Sequence, residues 1–207
     1  MATVSMAVNA GSFNDPEGGY GMAHFLEHMV FMGSEKYQKA GDYSDHCSAN
    51  GGYSNAYTEF EWTNFHFEIA YSGLEVALDM MADNLGSPLI LKSEIEKEIS
   101  AIESEFSGST VDDNVRIIML LMGQVKSKDH IFNTFPFGNM KSLNAIGDYD
   151  KLHQDVFNFY KTQYSADRMK LVVQVKTKDN MTAVRKWVTN SFSKIENRNL
   201  GKQDYSK

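Results

Sequence analysis

Two histidines and a glutamate, His24, Glu27 and His28, sit within GMAHFLEHMVFMGS (residues 21–34), a run otherwise built from large apolar side chains. Such groups are costly to bury unpaired, so this run calls for a partner. On a helix turning about 100° per residue, the two imidazoles point within roughly 40° of each other and lie about 6 Å apart along the axis. Both can reach one metal ion. Glu27 lies about 60° from His24 on the side away from His28, where it can flank a metal without ligating it. The order HxxEH reverses the HExxH arrangement of zinc-binding helices. Zinc suits two imidazoles and one carboxylate, with a fourth position left to a water whose pKa falls to about 7. The plainer alternative is a satisfied i, i+4 histidine pair on a half-buried helix.

A third ligand would separate the two readings. The segment SEIEKEISAIESEF (residues 93–106) carries Glu94, Glu98 and Glu105 on one side of a helix, beside a stripe of Ile95, Ile99, Ile102 and Phe106. A row of acids on an amphipathic helix is ordinarily a solvated face. Periodicity alone does not choose which glutamate reaches a metal.

These residues need elements to hold them. TVSMAVNA alternates like a strand and is followed by the turn chemistry of NDPEGGYG; a buried helix is then expected from about Met22 to Met32, ended by Gly33 and Ser34. A short helix in GDYSDHCSAN breaks at Asn50, Gly51 and Gly52, and TNFHFEIAY alternates Phe65, Phe67, Ile69 and Tyr71 with polar residues as a half-buried strand. GLEVALDMMADNL places Leu74, Ala77, Leu78, Met81 and Leu85 on one helical face, and the glutamate-bearing helix is expected to be capped by Ser93. Further helices are expected around 112–126, 150–164 and 180–193, with a strand MKLVVQVKT between the last two. Strands and helices lack the regular βαβ cadence, so the fold class expected is α+β, with helices packed on a largely antiparallel sheet.

With 207 residues, 42% of them hydrophobic, the chain can bury one sizeable core. Its 20 basic and 27 acidic residues give a formal charge of −7, with the basic residues scattered, which argues against nucleic acid or an anionic membrane as partner. Cys47 is the single cysteine, so no internal disulfide can form, and it reads as a small packed side chain in a reducing compartment. No stretch approaches the roughly 20 apolar residues of a membrane span, and no leader pattern opens the sequence; the expectation is a cytoplasmic protein. His46, His66, His130 and His153 carry no site expectation.

AHFLEHMVFMGSEKY, then SNAYTEFEWTNFHFE, then EKEISAIESEF resemble, in that order and spacing, the inverzincin or pitrilysin family of zinc metallopeptidases, most of all its nardilysin and insulin-degrading enzyme branch. The resemblance runs from about Val4 to about Leu200. It implies that His24, His28 and Glu105 bind one zinc ion and that Glu27 is the general base. It implies that Glu98 is a carboxylate orienting a ligand from behind, and that Asn55 and Ala56 lie on an edge strand to which an extended peptide adds. The activity implied is endopeptidase hydrolysis of short polypeptides, with Glu27 activating the water.

Full members of that branch resemble four related α+β domains in two halves that close into a chamber. Against that pattern the sequence is expected to form a single, incomplete amino-terminal catalytic domain over 1–207, lacking the first strands and the end of the domain. The resemblance therefore also implies a partner, either a second chain or a carboxy-terminal half, that completes the chamber. The alternative is a zinc-binding but catalytically weak module, or a peptide-binding homologue, that works only beside that partner. Retention of Glu27 argues against a homologue that binds without cutting.

Overall fold

A computed structural model describes residues 1–125, 130–144, 148–176 and 181–205. Four strands form one antiparallel sheet in the order β2-β3-β1-β4: β1 (Ala2–Val8), β2 (Tyr53–Thr58), β3 (Thr63–Ile69) and β4 (Met169–Val175). Alternation sets its two faces. Ala2, Val4, Met6 and Val8 are buried along β1, and Met6 pairs with Phe65, Val4 with Phe67 and Ala2 with Ile69 on β3. The opposite face carries Thr3, Ser5 and His66, so only one face is covered by helices, as an antiparallel sheet permits.

The helices among the described residues are α1 (Met22–Val30), α2 (Asp42–Ala49), α3 (Leu74–Gly86), α4 (Ile95–Ser109), α5 (Asp113–Gly123), α6 (Met140–Asn144), α7 (Tyr149–Gln163) and α8 (Met181–Phe192). The α+β class and the antiparallel sheet are as the sequence indicated. The predicted helices and strands appear within a few residues of their expected ends; position 126, Thr177 and Asn180, at the limits of three of them, lie outside the described residues. The short α6 was not anticipated, and β2 was expected only from the resemblance, as the edge strand of Asn55 and Ala56. Along β2 the inward residues are Ser54, Ala56 and Thr58 and the outward ones Tyr53, Asn55 and Tyr57, so no apolar alternation marks it.

The α4 start differs from expectation. Ser93 does not cap it: a 3-10 turn over Lys92–Glu94 runs straight into the helix, and the Ser93 hydroxyl turns to Glu94 instead. Just before that turn, buried Ile90 takes a left-handed φ of 45°, a conformation that disfavours β-branched residues, and the His153 ring on α7 holds its carbonyl at 2.8 Å. A tertiary contact therefore sets how α4 leaves the sheet layer.

The core lies between the sheet and α1, α3, α4 and α7. Phe25, Leu26, Met29 and Val30 of α1 are fully buried, as are Leu74, Leu78, Ile95, Ile102 and Val156. Cys47 is buried among them, and burial pushes its thiol up to about 11, which makes it a packing residue.

Candidate metal centre

Helix α1 is buried on almost every side; only His24 and His28, one turn apart, reach partly to solvent. The N-terminus of α1 is placed by unusual chemistry. Its N-cap is Gly21, with no side chain to receive the free amides, and Asp15 from the preceding loop takes that part: its carboxylate accepts from Gly21 N at 2.7 Å and Ala23 N at 2.8 Å. Gly21 has φ +89° and touches Gly138, where a Cβ on either residue would come within 3 Å of the other's backbone. This approach carries the Phe137 carbonyl over His24.

The Phe137 carbonyl lies 2.6 Å from His24 Nδ1, and the Glu98 carboxylate 3.1 Å from His28 Nδ1. A carbonyl or a carboxylate can only accept, so each neutral imidazole carries its proton on Nδ1 and leaves Nε2 bare. Both Nε2 atoms face the same oxygen: Glu105 Oε2 is 3.4 Å from His24 Nε2 and 3.6 Å from His28 Nε2. The two rings meet edge to face with centroids 4.9 Å apart. Three lone pairs thus converge on one point, an arrangement that repels itself unless a cation stands between them.

The donor set fits a metal. Among the described residues, His24, His28 and Glu105 are the group whose ligand atoms all lie within 4.8 Å of one another. Ligands about 2.0–2.1 Å from a tetrahedral zinc stand about 3.3–3.4 Å apart, close to the distances to Glu105. The electrostatics agree. Burial alone would lower the His24 pKa, but hydrogen bonding to Glu105 and the charge of Glu27 raise it overall; the His24 hydrogen bond holds Glu105 below the usual carboxylate range.

Glu27 lies buried beside these three residues, on the wall of the same pocket. It is 6% exposed, and burial raises its pKa, partly offset by the charge of His24 and by a hydrogen bond donated from Thr58 at 2.5 Å. The sites expected from sequence are therefore brought together. His24, Glu27, His28 and Glu105 line one pocket of about 590 Å³, with Asn55 and Ala56 on its β2 wall and apolar walls from Phe31, Phe60, Ile118 and Phe137. Glu98 lies behind, its side chain 7% exposed against 56% for Glu105, so the acidic row of α4 is a solvated face only in part. Glu94 points elsewhere and pairs with Lys97.

Three contributors escaped the sequence reading. The Phe137 carbonyl is backbone and has no residue-type signal. Asp15 could have been found, since an acid beside a Pro and Gly-rich turn just ahead of an uncapped helix is a cap in waiting. Thr58 would have followed from β2, as the second residue after Ala56 on the same side of a strand.

A family model described as insulinase (peptidase family M16) matches residues 1–133. A nardilysin-like protein of Arabidopsis thaliana is 37% identical over 95% of this chain, and the nardilysin of Homo sapiens 34% identical over 99%. The chain spans only 19% and 18% of those relatives. The crystal structure of pitrilysin superposes with a TM-score of 0.93 at 28% identity, covering all of this chain and 22% of the other. A protease from Helicobacter pylori shares the fold at a TM-score of 0.77 and 21% identity.

Proposed function

The chain belongs to the insulinase family, peptidase family M16, and on that premise we propose that it carries the zinc site of an endopeptidase acting on short polypeptides, with Glu27 as general base. One observation carries this reading: two imidazoles whose Nδ1 protons are taken by Phe137 and Glu98 turn their bare Nε2 atoms toward Glu105, beside a buried, non-ligating glutamate. His24, His28 and Glu105 would hold the ion, and Glu98 would keep His28 turned toward it. Zinc supplies a Lewis acid and lowers the pKa of a bound water to about 7.

This chain's own groups do the rest. Glu27 accepts the proton of the attacking water on a carboxylate oxygen and passes it to the nitrogen of the departing amine. Its burial favours the protonated form and so makes it a stronger base than an exposed glutamate. Asn55 and Ala56 line the pocket on β2, which is an edge strand, so an extended peptide can add along it and bring its backbone past Glu27. The apolar walls exclude water from the far side of that peptide.

Ile118 of α5 lines the pocket, and Ile117, Leu120 and Leu121 of the same helix are exposed with it. A contiguous apolar row of this kind suits a covering partner. The partner proposed is the second half or second chain that closes the pocket, and the isolated chain is expected to cut slowly. No helix among the described residues is long and apolar enough to cross a membrane; a cytoplasmic location is part of the same proposal.

The test is digestion of a mixed pool of short peptides, read by mass spectrometry with and without a zinc chelator, for the chain and for Glu27→Gln. Chelator-sensitive cleavage, lost by several orders of magnitude in a variant that still binds zinc, is the expected result. Undiminished hydrolysis by Glu27→Gln would remove the general-base role.

A further inference from the structure

Glu27 has a neighbour whose chemistry goes beyond the four groups of the metal centre. We propose that the Thr58 hydroxyl is a positioning residue that anchors one oxygen of the Glu27 carboxylate and so fixes which oxygen faces the substrate. The proposal rests on the reading of Glu27 as general base.

Thr58 closes β2, and its Oγ1 donates to Glu27 Oε2 at 2.5 Å. A hydroxyl has a single proton and an ionised carboxylate has none, so the direction of this bond is settled and the Thr58 proton is committed. Among the described residues the rival acceptor is Thr63, its register partner across the hairpin, whose Oγ1 is 3.4 Å away. That is too long to compete with a charge-assisted bond. Thr63 is fully buried and spends its own proton on the Ala10 carbonyl at 2.8 Å, which holds the pair from behind. Oε2 is therefore tied, and the proton-accepting oxygen is left as Oε1.

The anchor sits on the same strand as the peptide wall. Ala56 and Thr58 lie on one side of β2 with Tyr57 on the other, and the strand is locked to β3 along its length. A peptide laid against β2 and the base that acts on it are thus referred to one rigid ladder. A glutamate has three rotatable bonds, and misplacement of a reacting group by about 1 Å can cost on the order of 100-fold in rate. Without the hydroxyl, Glu27 keeps its place in sequence and loses its aim.

Thr58→Val removes the donor at nearly constant volume, and Thr58→Ser keeps it. In the zinc-loaded chain, Thr58→Val is expected to lower kcat by about 10- to 100-fold with KM and zinc affinity within about twofold of the parent, while Thr58→Ser recovers to within about threefold. A parental kcat in Thr58→Val, or equal impairment of both variants, overturns the proposal. A crystal structure of Thr58→Val supplies a readout free of activity: the Glu27 carboxylate is expected to spread over more than one rotamer, and a single unchanged rotamer overturns the positioning role. If the parent binds zinc and cuts nothing, the missing half explains the silence, and the Glu27 rotamer alone decides whether Thr58 holds it.

Discussion

His24 and His28 differ from an ordinary i, i+4 pair in what lies behind them. The Phe137 carbonyl and the Glu98 carboxylate each fix a tautomer, and the choice of tautomer turns both bare nitrogens toward Glu105. Neighbouring acids on the same helix have different work: Glu103 Oε2 accepts from the backbone N–H of Met140 at 2.8 Å, tying α6 to α4. Glu105→Gln is therefore expected to weaken zinc binding by well over tenfold, whereas Glu103→Gln, which keeps an acceptor, leaves it within about twofold; competitive chelator titration separates them. Acidity acts on the same atoms. The folded pKa of His24 lies above its ordinary value of 6.5, so its pairing stabilises the metal-free chain below that value and is lost as pH rises through the folded pKa. Zinc requires the neutral ring, so its binding strengthens over the same window. Thermal melts between about pH 6 and pH 8 are expected to show the chelated chain losing stability while the zinc-induced rise in Tm grows, and His24→Gln to show neither trend.

At the scale of elements, α1 holds the site and Asp15 holds α1. Two orphan amides at the helix start depend on that one carboxylate. Asp15→Ala is expected to cost about 1–2 kcal/mol in denaturant unfolding, and to weaken zinc binding as well because the first turn carries His24. Asp15→Asn, which keeps an acceptor, loses less. How far the sequence could be read follows from the same elements. Helix α1 was legible because the dense apolar run around HFLEH encodes a buried helix locally, and α3 and α4 because their apolar stripes repeat every three or four residues. Alternation did not mark β2, because its inward side chains are small and two of its outward ones aromatic, the reverse of a core strand, and only the resemblance placed an edge strand at Asn55 and Ala56. The start of α4 was misread because a local serine signal yielded to the buried Ile90 turn that α7 holds from a distance. The resemblance supplied Glu105 and Glu98 where periodicity left the choice open, and it had nothing to say of a carbonyl or of an acid in a loop.

At the scale of the whole molecule, the described residues form a one-sided sheet with the reactive groups spread along α1 at an open pocket. The chain spans about a fifth of the relatives it matches, and Ile118, one of several exposed apolar residues of α5, lines that pocket. The His24–Phe137 contact joins positions 113 residues apart, and the Gly21–Gly138 approach leaves room for nothing but hydrogen at that crossing. Ser142 adds a bond to the Tyr20 carbonyl at 3.0 Å, so residues 137–142 are fastened to the mouth of α1 at several points. On the proposed zinc reading, ion binding and the docking of this distant segment would be linked, and linkage is reciprocal: whatever factor the closed clasp adds to zinc affinity, zinc would add to the population of closed clasp. Amide hydrogen exchange is the measurement that sees it. Backbone amides near 138–143 are expected to exchange more slowly with zinc than with chelator, and Gly138→Ala, which forces the crossing apart, to erase the difference. A substitution on the outer side of that segment, remote from every ligand, would then register as a change in how tightly the metal is held.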